Sequence, residues 1–438
     1  MKTALVCVAC LLALPLYVGT ALTRSQSVNT NKDATDQSAY MNYAKRMEET
    51  NFHALGDRNR MPVYPFLLSV IHPDDMDDQQ FFERGKLFNI LLSIVSLAAL
   101  LAIFLRRFPA LGALDLTLVT AFSVFLFKAS YVQVEILFYT LVFCAFLLMR
   151  RMIEKPGWGL ALLTGGTLGL AHLTKAAVVP GLLIFLGIGL AVTLQRWRRM
   201  ARGGGAKGPA AILLAGVVFL AVVSPYIINS KRVFGRYFYN VNTTFYMWYD
   251  THQEMLHGTR DHGDRVGWPT MPPEEIPSMT RYVREHTVAQ MAQRVAAGVK
   301  RMHVDAKKSF GYYKYLLLYA AGAVMLAAFN LRSVAEFARR NAGVVLFSCA
   351  YLAGYVFLYT WISAVHAGLN RITLQQFLPL LFTLACVIHS DLMERPSIQL
   401  GGRRLLARDA FNFVVLVVLL IDIAQVVTGR GLTMQGGV

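Results

Sequence analysis

The feature that most constrains this chain is a succession of apolar blocks too long and too poor in charge for a soluble core. A helix needs about 20 mostly apolar residues to cross a hydrocarbon layer, and its backbone polar groups must then be satisfied within the helix. By that measure about eleven blocks qualify, at 4–22, 87–105, 110–127, 136–149, 159–172, 176–195, 209–228, 312–329, 342–365, 374–389 and 411–427. The blocks at 136–149 and 159–172 are short, which predicts tilted or partly shielded helices. With 55% hydrophobic and 16% charged residues, the expected architecture is an all-α polytopic membrane protein, a single membrane-embedded domain over 1–438.

The net charge of +17 invites a nucleic-acid reading, but its placement argues against one. Arg106 and Arg107, Arg150, Arg151 and Lys155, Arg196, Arg198, Arg199, Arg202 and Lys207 fall in alternate turns. So do Arg332, Arg339 and Arg340, and later Arg395, Arg403, Arg404 and Arg408. Threading the chain from Lys2 puts all of them on one side, the positive-inside pattern of cytoplasmic loops. The excess charge is topology, and no nucleic-acid partner is expected. Cys7, Cys10, Cys144, Cys349 and Cys386 all lie in apolar blocks without a CxxC, so they read as small buried hydrophobes rather than disulfides or metal ligands. The first block could pass for a signal peptide; a retained anchor is favoured because the loop after it carries candidate functional groups.

Two long outer loops remain, roughly 23–86 and 229–311, and loops of that length are usually functional. In the first, Tyr40, Tyr43, Ala44 and Met47 predict a short helix around Ala39–Glu49. Asp36 stands just ahead of it, placed either to cap its amides or to act as a general base toward a hydroxyl; Asp33 is its rival. Arg58 and Arg60 precede Pro62 and Pro65. Their guanidinium forks suit a phosphate at the headgroup level, or equally the headgroups of anionic membrane lipids. The stretch Phe66–Ile71 is too short to span and is read as interfacial.

The second loop opens on the aromatic run Tyr237–Tyr249. It continues through a polar patch with Asp250, His252, His257, Asp261, His262, Asp264 and Arg265, and an amphipathic helix is expected near Ser278–Lys308. The short outer turns carry Lys128, Tyr131 and Glu135, then Lys175, then His366, Asn370 and Arg371. Cations are scarce in such turns, so Lys175 and Arg371 mark a site or snorkel to the interface. Asn242-Thr243-Thr244 is a glycosylation sequon on the outer side. Asp115 and Asp422, inside spans, are costly unless paired. No P-loop, HExxH, GxSxG or GxGxxG with a following acidic residue occurs.

Taken together, these residues resemble the GT-C superfamily of membrane glycosyltransferases, in particular the branch of protein O-mannosyltransferases and lipid A aminoarabinose transferases. Asp36-Gln37-Ser38-Ala39-Tyr40-Met41-Asn42-Tyr43-Ala44 is similar to the family's Asp-Glu start. Arg60-Met61-Pro62-Val63-Tyr64-Pro65 is similar to its basic-Pro-Pro-aromatic segment. Val134–Phe138, Gly165–Lys175 and Arg371 also resemble family features. Gln37 departs from the pattern, standing where the family usually has Glu, and leaves Asp36 as the only carboxylate of that pair.

The resemblance implies inverting transfer of a sugar from a polyprenyl-phosphate donor to a hydroxyl on a lipid, glycan or protein, in a bacterial inner membrane on its periplasmic face. Asp36 would deprotonate the acceptor, and Arg58, Arg60, Lys175 and Arg371 would hold the donor phosphate. Tyr40, Glu135 and His366 would contact sugar or acceptor. A divalent cation is compatible with this chemistry, although no ligand cluster demands one. The alternative from another class is a transporter or lipid flippase, which would show short loops, matching halves and mid-membrane polar groups.

Overall fold

The computed structural model describes residues 2–53, 56–73, 75–199, 207–365, 373–390, 397–400 and 403–428. A helix stands at every one of the apolar blocks. They are α1 (Lys2–Ser27), α4 (Asp78–Leu105), α5 (Ala110–Thr120), α7 (Glu135–Glu154), α8 (Trp158–Thr174), α9 (Val179–Arg199), α10 (Lys207–Phe234), α15 (Phe310–Ala328) and α17 (Ala342–Ser363), with Phe377–Ile388 and Ala407–Val427 beyond them. The span begun by α5 continues through a π turn, Ala121–Phe125, into α6 (Leu126–Ala129).

Among the described residues eight helices are long and apolar enough to cross a bilayer, or nine if α15 and the following α16 (Leu331–Arg340), bent by 103°, count as one. The chain is therefore an integral, multi-pass membrane protein. Its only strands among the described residues pair Ser397–Leu400 with Arg403–Leu406 as an antiparallel hairpin.

Burial shows which helices sit centrally. The Ala110–Ala129 span is 89% buried and α7 56%, whereas the first span is 17% buried and faces outward. The block at 136–149 is longer as a helix than as an apolar run, because α7 continues through Arg150 and Arg151 to Glu154. The 17-residue α8 packs against α10 through Gly165 and Gly169: a Cβ on Gly165 would lie 2.4 Å from the Ala215 carbonyl oxygen. Small residues let membrane helices approach this closely, since dispersion between backbones replaces the hydrophobic drive that lipid does not supply.

Contacts sort the two ends of the bundle. At one end, Arg196 donates to the Ile153 carbonyl at 2.7 Å, and the Arg150 guanidinium lies over Phe382. At the other, Asn29 donates to the Ser130 carbonyl at 2.8 Å, Tyr313 meets Thr373 at 2.5 Å and Trp361 donates to the Met247 carbonyl at 3.0 Å. Both long loops lie at this second end and bond to each other. Cysteines placed at Asp33 and Gln253, in a background without native cysteine, are expected to react with an impermeant maleimide from the same side. One at Arg107 should react only from the other; labelling of all three from one side would undo this topology.

The loops hold more helix than the apolar pattern foretold. The first contains α2 (Gln37–Glu49), close to the expected Ala39–Glu49, and α3 (Val63–Ser69), with Tyr64 and Leu68 fully buried and Phe66 exposed. The second holds α11 (Val241–Thr244), α12 (His252–Asp261), α13 (Met279–Glu285) and α14 (Val288–Lys308). The single helix expected at Ser278–Lys308 is thus two. Thr287 accepts from the Gln290 amide and Gln290 reaches back, a capping box that starts a new helix. Arg294 of α14 bridges the Met247, Tyr249 and Trp361 carbonyls, tying the aromatic run to the end of α17.

Candidate active site

The site grows from a turn in the first loop. Asp57 accepts from the Asn59 and Arg60 amides at 2.9 and 2.8 Å, an Asx turn that fixes where the following side chains point. Arg60 then donates to Asp36 Oδ1 at 2.8 Å. Asp36 occupies the N-cap position of α2, but its side chain makes no capping bond. The carboxylate is directed at Arg60 instead, and the rival Asp33 is exposed and outside this pair. The Arg60 guanidinium also lies 5.6 Å over the Tyr40 ring, and Tyr40 packs edge-on against Tyr64 at 5.3 Å.

Just before the carboxylate, Thr35 holds φ 72°, a left-handed conformation that is costly for a β-branched residue. Gln133 donates to its hydroxyl at 2.6 Å, so the second outer turn holds this strained residue in place. Gln37 does similar work. It is fully buried, exchanging both amide hydrogen bonds with Asn29 at 2.8 and 2.9 Å. It also donates to the Ala34 and Asn31 carbonyls and accepts from the Val132 amide at 2.9 Å.

This pocket fits an amide and not a carboxylate, because three acceptors face Nε2 and a glutamate could donate to none of them. Gln37→Glu is expected to destabilise the protein by about 2–3 kcal/mol, read as a lower melting temperature in detergent. An unchanged melting temperature would contradict this role.

A second pair stands on the bundle beneath. Lys175, just past α8, lies 3.4 Å from Glu135 Oε1 and 5.7 Å over Phe138. Tyr64 links the two pairs: its hydroxyl donates to Asn89 at 3.0 Å, and Asn89 donates to the Gln133 carbonyl at 2.9 Å. Burial, then the nearby Tyr40 hydroxyl and Glu135 carboxylate, pushes the Tyr64 phenol well above its usual range, so it stays a neutral donor. Tyr64 therefore stands within electrostatic reach of Tyr40 on one side and Glu135 on the other.

Arg58 belongs elsewhere. Although two residues from Arg60, it pairs with the fully buried Asp264 and donates to the Tyr246 hydroxyl at 2.5 Å. Its phosphate-binding role gains no geometry here; it clamps the second loop onto the first. The Val241 amide donates to the Arg58 carbonyl at 2.9 Å and Asn240 to the Asn59 carbonyl at 2.9 Å. Asn242, the sequon asparagine, donates its amide to Asn59, so the nitrogen that would carry a glycan is already engaged. His366, Asn370 and Arg371 lie outside the described residues.

Lys128 is buried and lies over Tyr312, a packing role. Within the spans Asp422 pairs with Lys314, whereas Asp115 is fully buried with no hydrogen bond to either oxygen. Among the described residues no three His, Cys, Asp or Glu side chains converge as a metal site.

Chemically, these pairs offer a half-exposed carboxylate beside a guanidinium, and a buried carboxylate beside an ammonium, at one end of an apolar bundle. No family model matches the chain, and no curated protein matches it.

Proposed function

We propose that this chain is an inverting membrane glycosyltransferase that moves a sugar from a polyprenyl-phosphate donor to a hydroxyl acceptor on the side of its two long loops. The observation that carries the reading is the Asp36–Arg60 pair at 2.8 Å, set in the turn where those loops lock together. The donor's lipid needs an apolar bundle, its phosphate needs cations at the bundle's end, and the acceptor needs a base.

In the reaction, the acceptor oxygen attacks the anomeric carbon as its proton passes to Asp36. The bond from that carbon to the phosphate oxygen breaks, and its electron pair leaves with the phosphate. One displacement inverts the anomeric configuration. Arg60 orients Asp36 through their ion pair, and its buried Nε has no hydrogen-bond partner, leaving a donor for the departing phosphate. Lys175 supplies a second positive charge for the leaving group, and Tyr40 and Glu135 contact sugar or acceptor in this reading.

In this reading every apolar helix crosses the membrane, α8 and Phe377–Ile388 as short spans, in a GT-C-like arrangement. The arginine-rich turns face the cytoplasm of a bacterial cell and the loops its periplasm. Asp115 favours a transporter as the second reading, because an unpartnered carboxyl inside a span commonly marks an ion path. The deciding experiment follows transfer from labelled polyprenyl-phosphate sugars in membranes holding the full chain. Absence of transfer across neutral and amino-sugar donors, from folded protein, would sink the enzyme reading.

A further inference from the structure

The helix α16 belongs neither to the candidate site nor to the interior of the bundle. No residue of it is buried, yet Leu331, Val334, Ala335 and Ala338 recur at the spacing of one apolar helix face, with Phe337 beside them. Arg332, Glu336, Arg339 and Arg340 occupy the opposite face. Val334 packs against the core, whereas Leu331 is 69% exposed and Phe337 42%. The apolar face is therefore largely uncovered by the protein.

Its position says what covers it. α15 and α16 meet at 103°, and Asn341 alone separates α16 from α17, a membrane span. A Cβ on Gly343, at the start of α17, would meet Val192 at 3.0 Å and Ile153 at 3.3 Å. That sets the junction at the end of the bundle where Arg196 holds the Ile153 carbonyl. A helix turned across the spans at that level lies along the membrane surface. Val324 and Met325 near the end of α15 are exposed, as are Phe329 at the bend and Leu331 beyond it. One apolar surface follows the chain around the turn, so lipid that covers α15 reaches α16 as well.

The charges select the lipid. Glu336 pairs with Arg340 at 3.5 Å, and no carboxylate among the described residues pairs with Arg332 or Arg339. An arginine-bearing face opposite Leu and Phe suits a helix seated in the headgroup layer, where the guanidinium fork matches phosphate oxygens.

We propose that α16 is an in-plane helix that binds anionic phospholipid on the side of the arginine-rich turns. Leu331 and Phe337 enter the acyl layer, and Arg332 and Arg339 hold the headgroups. This binding does not depend on the reaction proposed above, because it concerns the opposite end of the bundle.

The test reads which lipid lies next to α16 in the full chain. A cysteine-free background carrying Phe337→Cys, labelled with bimane, is placed in phosphatidylcholine nanodiscs. These hold a small fraction of either nitroxide-labelled phosphatidylglycerol or nitroxide-labelled phosphatidylcholine. Phosphatidylglycerol should quench more, its association at this position exceeding that of phosphatidylcholine by about 5- to 25-fold, since each arginine at an anionic surface contributes about fivefold. Arg332→Gln combined with Arg339→Gln should bring the ratio close to one. The same label on Leu220→Cys, exposed on α10, should keep its ratio when those arginines are replaced. Aqueous iodide should quench Phe337→Cys only weakly.

Equal quenching by the two lipids, or a phosphatidylglycerol preference that survives the double substitution, would overturn the anionic-lipid role. Strong iodide quenching with none from lipid would place the face in water. Exclusion of iodide and both lipids would mean that protein covers it, a second copy of this chain included. Either result overturns the inference.

Discussion

Replacing Asp36 by Asn is expected to lower sugar transfer by about 100- to 10,000-fold, the range that a positioned general base contributes. Asparagine matches the shape of the side chain and keeps an oxygen for Arg60, so the 57–60 turn should stay in place. The Asp36 side chain is 41% exposed, and exposed ion pairs contribute at most about 1 kcal/mol, so folding should change little. The variant also separates the two roles that position 36 can hold. Asparagine is as good an N-cap as aspartate, and a residue that merely started α2 would tolerate it. A base would not, because an amide cannot take the acceptor's proton. The signature is a fall in kcat with KM for the donor nearly unchanged, measured with labelled polyprenyl-phosphate sugars. Turnover within a few-fold of wild type would remove Asp36 from the base role.

How much of this was readable beforehand differs by length scale. The helices were legible because about 20 apolar residues without charge form a signal that tertiary context seldom overrides; of the eleven expected spans, eight or nine among the described residues are long and apolar enough to cross. The two ends were legible because arginine accumulates in alternate turns. The division of α13 from α14 was present in the sequence as Thr287 and Gln290, three apart, but the amphipathic pattern runs on through it and reads as one helix.

The site was legible only in part. Residue type alone cannot distinguish Arg58 from Arg60: both stand in the same turn, yet one reaches Asp36 and the other a carboxylate 206 residues away. No local pattern reports such a partner. Gln37 reads as a lost carboxylate in the sequence and proves to be a buried amide whose donors and acceptors are all used.

The largest expected effect on folding is at the clamp between the loops. Arg58→Ala is expected to destabilise the docked second loop by about 3–5 kcal/mol, the usual consequence of leaving one partner of a buried ion pair behind. Asp264 is fully buried and also accepts from Thr259 at 2.8 Å and Tyr246 at 3.3 Å. Those hydroxyls remain in the variant but cannot balance its charge. The readout is protease cleavage within 229–311 at a protease concentration that spares wild type, together with a lower melting temperature. Because Asn240 and Val241 hold the turn that carries Arg60, transfer should fall as well, without any change at the Asp36–Arg60 pair itself. The double variant Arg58→Met with Asp264→Leu decides the cause. If the cost is an unpaired buried charge, removing both charges should restore most of the stability, since apolar replacements of a buried pair are often neutral or better. If the double variant is as unstable as Arg58→Ala, the loop depends on the hydrogen bonds around Asp264 rather than on charge balance, and the clamp would have to be reassigned to Thr259 and Tyr246.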